Sequence, residues 1–333
     1  ATPAARRAGF KYLGYSVFGA GMALAGYFFI AYYLTVPDFQ PGGAIDFSRA
    51  AEHQPLLLVA YCLMIVGFGA KAGMMPMQSW LPAAHPVAPA PASAVLSGVI
   101  TKGGVVAVIR VTYYMFGPEF LAGSWPQYVL LTLTLATVFV GSMLAYREKQ
   151  LKRRLAYSTV SNLSYMLLGV CLMTPAGLAA ALLHMVVHAV SKITLFFCAG
   201  AIYYKSGKEY VYELAGFGRR MPVVLGCFLV TGLCLMGIPP LAGFSSKWSL
   251  ALAAVEQGSP LAIAGVAALI VSAVLTALYI ITVVITALQP NPLDTPERLE
   301  PGRCMTVPLV LLTAACLVLS LCTGPLLSYF LAL

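Results

Sequence analysis

Three ionisable side chains lie at four-residue intervals inside an otherwise apolar stretch. His184, His188 and Lys192 occur in ALLHMVVHAVSKITLFF, residues 181–197. On an α-helix each four-residue step turns about 400° and rises about 6 Å, so the three side chains form one stripe about 12 Å long. Ionisable groups at bilayer depth are costly and usually face a bundle interior or a water-filled path, so the stripe predicts a proton relay.

Two other interpretations of the stripe stay open. Buried polar groups also hold helices together, although serine, threonine and asparagine usually do this at a lower desolvation cost. Two histidines at i and i+4 can also begin a zinc site, but the stretch that holds the stripe, residues 181–197, offers no third histidine, cysteine or carboxylate. The sequence therefore predicts no metal.

The composition is that of a membrane protein. Sixty per cent of the residues are hydrophobic and 9% are charged, with a mean hydropathy of +0.87, whereas soluble domains carry about 25% charged residues. The net charge of +9 comes from basic residues in short loops, which indicates membrane topology rather than nucleic-acid binding. The eight cysteines have no metal-ligand spacing, and no dinucleotide or haem motif is present, so no cofactor or redox centre is predicted.

Apolar runs predict an all-α polytopic protein with about nine transmembrane helices. The second run carries Pro76 beside Gly73, and the seventh contains Gly237, Pro239 and Pro240 at its middle. Both spans are therefore expected to be broken, and broken helices at membrane depth are typical of transport sites. The predicted spans are 10–35, 56–77, 92–116, 126–146, 155–173, 177–204, 222–254, 262–288 and 305–331.

Three further lysines fall inside these spans. Lys71 precedes the first break, Lys102 lies deep in the third span, and Lys247 follows the second break. No aspartate or glutamate lies well inside any predicted span. A lysine in low dielectric either loses its proton or needs a carboxylate, so we expect a partner from outside these 333 residues. Snorkelling of each lysine towards the membrane surface is the simpler alternative.

Basic residues predict the orientation in the membrane. They concentrate in the N-terminal tail and in loops 147–154, 205–221 and 289–304, and are almost absent from the alternate loops. The positive-inside rule then places the N-terminus in the cytoplasm and the C-terminus outside. A first residue other than methionine and an odd number of spans indicate a processed chain or part of a longer polypeptide.

Four motifs resemble one known family. They are KAGMMPMQSWLPAAHPVAPAPASAVLSGVITKGG (71–104), LKRRLAYSTVSNLSYMLLG (151–169), HMVVHAVSKITLFFCAG (184–200) and GIPPLAGFSSKW (237–248). In order and in extent they resemble the proton-conducting antiporter-like subunits of respiratory complex I, Mrp-type Na⁺/H⁺ antiporters, membrane-bound hydrogenases and formate hydrogenlyase. The resemblance implies fourteen core helices with two inverted five-helix repeats, each with one broken helix. Family helices 6 to 14 would then correspond to three segments: the end of the first repeat (1–116), the complete second repeat (126–288) and a final helix (305–333).

The resemblance also implies roles for individual residues. Lys71 matches the lysine of the first broken helix, and Lys102 matches the lysine that passes protons towards the middle. The central relay matches His184, His188 and Lys192, and the exit-side group of the second broken helix matches Lys247. The family pairs its first lysine with a glutamate on a helix that this sequence does not contain, so another chain or an upstream part is expected to supply it. His85 is expected in a loop near the cytoplasmic mouth.

The predicted function is proton translocation in a redox-driven complex of the complex I or hydrogenase type. A subunit of an Mrp-type Na⁺/H⁺ antiporter and a transport-inactive scaffold are the alternatives, and segments 83–93 and 97–104 look closer to hydrogenase and Mrp-type members. No redox site is predicted in the chain itself. Enzymatic activity would belong to the whole complex, an ion-translocating oxidoreductase of the translocase class, of which this chain would be a subunit. Expected partners are the lipid bilayer, membrane subunits that include the source of the missing helices, and peripheral Fe–S or [NiFe] subunits. The expected location is a prokaryotic cytoplasmic (inner) membrane, with no contact to nucleic acid.

Overall fold

The chain folds into helices, and the computed structural model describes residues 2–35, 38–291 and 298–332. Positions 1, 36, 37 and 333 of the predicted segments lie outside this range. No β-strand occurs in the described residues, so the predicted all-α polytopic fold is confirmed. The principal helices are α1 Pro3–Ile30, α2 Gln54–Ala72, α3 Leu81–Val87, α4 Ala90–Phe116, α5 Trp125–Arg147, α6 Leu151–Cys171, α7 Pro175–Ser206, α8 Pro222–Met236, α9 Ala242–Gln257, α10 Pro260–Leu288, α11 Arg303–Leu321 and α12 Thr323–Leu331.

Seven helices in the described part of the chain are long and apolar enough to cross a membrane: α1, α2, α4, α5, α7, α10 and α11. The fifth and seventh predicted spans are not among these seven helices. The fifth corresponds to α6, whose first turn contains Lys152, Arg153 and Arg154 and which is rich in hydroxyl side chains, yet almost all of it is buried. The seventh predicted span is divided into α8 and α9, and the ninth is interrupted after Leu321.

Helix α7 is the centre of the bundle. It has 32 residues and packs against α4, α6, α8, α9, α11 and α12. Its own interior face carries His184, His188, Ser191 and Lys192. Because α6 and α7 are surrounded by other helices, their polar side chains are held in the protein interior and away from lipid.

Both broken spans end their first half at a glycine in the left-handed region. Helix α2 ends before Gly73, with φ of 72°, and α8 ends before Gly237, with φ of 87°. Glycine adopts this conformation without the penalty that a Cβ brings. Non-helical residues follow each glycine, Pro76 in the first break and Pro239 and Pro240 in the second. Each break therefore leaves backbone groups without helical partners at membrane depth, next to a lysine.

Small residues bring the helices close together around these breaks. A Cβ at Gly243 would lie 1.7 Å from the carbonyl oxygen of Cys234, so α9 passes directly against the end of α8. A Cβ at Gly67 would lie 2.4 Å from the carbonyl oxygen of Gly19, which joins α2 to α1 in the same manner. Close backbone approach through glycine is a usual way for helices to associate in a membrane.

Candidate proton-transfer site

Lys247 closes the end of the second break. Its Nζ donates hydrogen bonds to the carbonyl oxygens of Leu235 at 2.8 Å and Met236 at 2.9 Å. The last carbonyls of a helix have no intrahelical partner and form the negative end of its dipole, so a cation there is stabilised. The same ammonium lies 5.5 Å from the centroid of the Tyr165 ring. Lys247 is therefore bound to the break itself and faces the polar interior.

His184 is held between two helices. Its Nδ1 lies 2.9 Å from the Ser246 hydroxyl of α9, and its Nε2 lies 3.3 Å from Oδ1 of Asn162 on α6. The Asn162 amide nitrogen donates to the carbonyl oxygen of Ser158 at 2.7 Å, which turns the amide oxygen towards His184. Because that oxygen only accepts, Nε2 is the protonated nitrogen of the neutral ring. The Tyr165 ring packs edge-on against the imidazole at 5.4 Å.

His188 lies next along the stripe but is not hydrogen-bonded to its neighbours. Its ring centroid is 6.0 Å from that of His184, with the two planes 29° apart. Within the described residues neither ring nitrogen of His188 has a hydrogen-bond partner, and the side chain is fully buried. The three-residue stripe is therefore continuous in position but has no direct hydrogen-bonded path through His188.

Lys192 is fully buried and bonded across to α6. Its Nζ donates to the carbonyl oxygen of Leu155 at 3.0 Å and to the Ser158 hydroxyl at 2.8 Å. Ser158 in turn shares a 2.6 Å hydrogen bond with the hydroxyl of Tyr279 on α10. Lys192 is bonded to one carbonyl and one hydroxyl, with no carboxylate among these contacts, so no ion pair holds it in the charged state and it can release a proton.

Lys102 follows a π-helical turn, Leu96–Ile100. Its Nζ donates to the carbonyl oxygen of Ser97, which also accepts a 3.3 Å hydrogen bond from the Thr101 hydroxyl. Turns of this kind widen a helix and occur often at functional sites. In the same π-helical turn the Ser97 hydroxyl shares a 2.6 Å hydrogen bond with Thr159 of α6, the helix that also binds His184 and Lys192. The structure thus brings these residues and Lys247 into one interior region.

The side chain of Lys71 contacts α1. Its Nζ donates to the Tyr12 hydroxyl at 2.7 Å and lies 4.9 Å from the centroid of that ring. A groove of about 250 Å³ between α1 and α2 includes Lys71 in its lining. The ion pairs found in the described parts of the chain, Arg49 with Asp46 and Arg153 with Glu148, do not involve this lysine.

The expectation for His85 was wrong. The residue lies within α3, is fully buried, and stacks on the Phe196 ring of α7 at 4.6 Å and 13°. Proline is compatible with the first turn of a helix, so the proline-rich segment folds into short helices that pack inwards instead of forming a surface loop. Neither imidazole nitrogen of His85 has a hydrogen-bond partner in the described structure.

The polar side chains that accompany the stripe were not predicted from the sequence. Ser158, Asn162 and Tyr165 repeat at i, i+4 and i+7 on α6, and this polar face in a membrane helix was a signal that could have identified them. Ser246 and Tyr279 had no comparable signal, because their roles depend on contacts with distant residues. Among the described residues no group of three or more histidine, cysteine, aspartate or glutamate side chains could hold a metal ion.

This arrangement defines a polytopic membrane protein with a buried lysine and histidine region beside two broken helices. Residues 1–288 match the family described as "NADH:quinone oxidoreductase/Mrp antiporter, TM", and the chain belongs to that family. The resemblance found in its motifs is thereby confirmed.

Individual relatives agree with this assignment. The chain is 34% identical over 283 residues to NADH-quinone oxidoreductase subunit N of Desulforudis audaxviator, covering 80% of this chain and 55% of that protein. It is 34% identical over 302 residues to hydrogenase-4 component B of Escherichia coli, covering 84% and 45%. The chain therefore spans about half the length of the curated relatives it matches.

Solved structures share the fold over nearly the whole chain. A chain of the Mrp complex from Dietzia sp. has a TM-score of 0.88 and 25% identity, with 99% of this chain and 68% of that chain covered. A chain of respiratory complex I from Thermus thermophilus has a TM-score of 0.79 and 22% identity, with 98% and 69% covered. At this low identity the second likeness concerns the fold alone.

Proposed function

We propose that this chain is a proton-translocating membrane subunit of a redox-driven ion-pumping complex. The observation that carries the proposal is the burial, in one helical interior, of Lys102, His184, His188, Lys192 and Lys247. Placing one charged residue at the centre of a membrane costs about 3 kcal/mol on insertion scales. Helix packing alone does not require five such groups, whereas proton transfer along the membrane plane requires a row of them.

The proposed path runs from Lys71 through Lys102 to Lys192, with His184 and His188, and ends at Lys247. A neutral lysine accepts a proton and becomes charged. Its charge then raises the free-energy cost of a second charge at the next site, and this repulsion moves protons along the path. The carbonyls at the second break stabilise the charged form of Lys247. Movement of the half-helices α8 and α9 would change this stabilisation and release the proton.

We further propose that the chain works with other membrane subunits. The helices that precede α1 in the family, with a carboxylate near Lys71, would come from one of these subunits or from an upstream part of the polypeptide. Peripheral Fe–S or [NiFe] subunits would provide the electron transfer, which makes the whole complex an ion-translocating oxidoreductase. The relatives named as a quinone oxidoreductase subunit and a hydrogenase component support this choice.

The membrane is the prokaryotic cytoplasmic membrane, with the N-terminus inside and the C-terminus outside. Segments 1–116, 126–288 and 305–333 form the end of one inverted repeat, a complete repeat and a final helix.

A second candidate is a subunit of an Mrp-type Na⁺/H⁺ antiporter. Its support is the fold of the Mrp complex chain from Dietzia sp., with a TM-score of 0.88. The two candidates use the same buried residues and differ in the energy source. Transport coupled to a redox substrate favours the first, and exchange of Na⁺ against a proton gradient without electron transfer favours the second.

Vesicles that carry the whole assembly test the proposal. H⁺ and Na⁺ movements are followed with separate dyes in the wild type, Lys192→Ala and Lys102→Ala, and the amount of assembled complex is measured in each. Lys205→Ala is the matched control, because Lys205 is on the same helix as Lys192 but is exposed. Loss of H⁺ transport in assembled Lys192→Ala and Lys102→Ala supports translocation, and a parallel loss of Na⁺ movement favours the antiporter. Unchanged transport in both variants would mean a scaffold.

A further inference from the structure

Helix α9 begins at the second break without a capping side chain of its own. The first N–H groups of a helix have no intrahelical partner and usually bond the side chain of the N-cap residue. The N-cap residue of α9 is Leu241, whose side chain has no acceptor. The N–H of Ala242 instead donates to the Ser320 hydroxyl of α11 at 2.9 Å, across 78 residues of chain. A second helix therefore supplies the cap.

The Ser320 hydroxyl is oriented for this contact. Its own proton is donated to the carbonyl oxygen of Cys316, one turn earlier in α11, at 2.9 Å. A hydroxyl whose single proton is used in this way presents only lone pairs to a further group. Ser320 is therefore an acceptor in front of Ala242, which is what the first N–H group of a helix requires.

The end of α11 and the start of α12 also contact α9 through a second hydroxyl. Thr323 is the first residue of α12, and its Oγ1 lies 3.4 Å from Oγ of Ser245 on α9. Leu319 lies next to Ser320 in the chain and packs against a buried cluster that includes Ala242. The first turn of α9 is thus held by polar and apolar contacts from one neighbouring segment.

Helix α11 is tied to the other half of the break through α7. The Ser191 hydroxyl of α7 lies 3.7 Å from Sγ of Cys316 on α11 and 3.8 Å from Sγ of Cys234 on α8. Cys234 is also the residue whose carbonyl oxygen Gly243 of α9 passes most closely. Helix α11 therefore forms a common frame for α8, α9 and the central helix, and Ser191 precedes Lys192 directly.

We propose that Ser320 is a positioning residue for proton transfer at the second break. The inference rests on the proposed function, because it concerns protons that pass through His184 and Lys247. Ser246 and Lys247 follow Ala242 by four and five residues on the same helix. A displacement of α9 by about 0.7 Å would lengthen the 2.9 Å contact between Ser246 and His184 beyond hydrogen-bond range. The cap on Ala242 holds α9 where this contact forms.

The simpler explanation is that Ser320 only attaches α11 to the rest of the bundle. Within the described residues α11 buries few side chains, namely Leu309, Thr313 and Cys316, so each attachment matters. Thr313 offers a matched comparison, because its hydroxyl is also buried on α11 but donates to the carbonyl oxygen of Leu309 in the same helix, at 2.8 Å. Loss of attachment lowers the amount of assembled complex, whereas loss of positioning lowers transport by complex that has assembled.

The experiment compares Ser320→Ala, Ser320→Thr and Thr313→Val in the whole assembly. Amide hydrogen exchange of segment 241–246 is measured together with H⁺ transport in vesicles and the amount of assembled complex. Ser320→Ala should raise the exchange of this segment about fivefold, the effect of losing one average helix cap, and should lower H⁺ transport per assembled complex. Ser320→Thr keeps the hydroxyl and should restore both, and Thr313→Val should behave as the wild type.

A double variant separates positioning from attachment. Because Ser320 acts through the position of Ser246, Ser320→Ala combined with Ser246→Ala should transport no less H⁺ than the lower of the two single variants. Losses that multiply would overturn the proposal. Unchanged exchange in Ser320→Ala would also overturn it, as would transport in Ser320→Thr no better than in Ser320→Ala. Full transport in Lys192→Ala would instead reject the proposed function, and the exchange of segment 241–246 would still test the cap.

Discussion

The Ser246 hydroxyl lies 2.9 Å from Nδ1 of His184 and also 3.1 Å from the carbonyl oxygen of Gly243, so one hydroxyl faces two acceptors. When His184 is neutral with its proton on Nε2, Ser246 donates to Nδ1 and cannot donate to Gly243. When the ring is fully protonated, Nδ1 donates instead and the hydroxyl is free to bond the carbonyl. The charge of His184 is thereby communicated to α9, directly after the second break.

Removing this hydroxyl should uncouple His184 from the break. We expect Ser246→Ala to lower H⁺ transport and to leave assembly nearly unchanged, because a single neutral hydrogen bond contributes about 1 kcal/mol. Ser249→Ala is the matched control on the same helix, since its hydroxyl bonds the carbonyl oxygen of Ser245 at 2.9 Å. Equal transport in both variants, measured in whole-assembly vesicles, would contradict a role for Ser246.

Replacing Lys247 separates its two roles. Lys247→Arg keeps a cation at the end of α8 but holds its proton permanently, because the guanidinium does not deprotonate in proteins. We expect assembly to survive and H⁺ transport to be lost. Lys247→Met removes both roles and leaves the Leu235 and Met236 carbonyls without this donor, at about 1–3 kcal/mol for each unsatisfied group. Thermal unfolding of the purified complex should be earlier for methionine than for arginine, and the reverse order would reject the capping role.

The contact between the two halves of the broken helix should not tolerate a methyl group. Gly243→Ala would place a Cβ 1.7 Å from the Cys234 carbonyl oxygen, and overpacking of this kind typically costs about 1–3 kcal/mol. We expect a lower thermal unfolding temperature and less assembled complex. Gly226→Ala on α8 is the control, because a Cβ there meets no atom within 4 Å. If both variants unfold at the same temperature, the close approach of α8 and α9 is wrong.

The Tyr12 hydroxyl should tune Lys71. A hydrogen bond to a charged group contributes about 1.5–3 kcal/mol, so Tyr12→Phe removes stabilisation from the charged lysine and should reduce H⁺ transport. Tyr15→Phe serves as the comparison on the same helix, since the Tyr15 hydroxyl bonds Ser79 at 3.0 Å instead of a lysine. Equal transport in the two variants would contradict a role for the Tyr12 hydroxyl in tuning Lys71.

Much of the fold was accessible from the sequence because hydropathy and helix periodicity are local properties. Apolar runs of about 20 residues located most of the helices, and the spacing of His184, His188 and Lys192 placed them on one face of α7. Glycine and proline marked where the second and seventh runs stop being helical. A charged residue in an apolar run is recognisable from its neighbours in the chain, which is why the six candidate ionisable residues could be named at the outset.

Only the tertiary structure decided which groups these residues contact. Lys192 bonds Ser158, which is 34 residues away in the chain, and Ser158 bonds Tyr279, which is 121 residues away. The sequence placed His85 in a loop, whereas packing against Phe196 of α7 buries it. Helix periodicity fixes the direction of a side chain relative to its own helix. The partner it meets depends on how helices far apart in sequence pack together. This packing placed the Ser158 hydroxyl of α6 beside Lys192 and the Tyr279 hydroxyl of α10 beside Ser158.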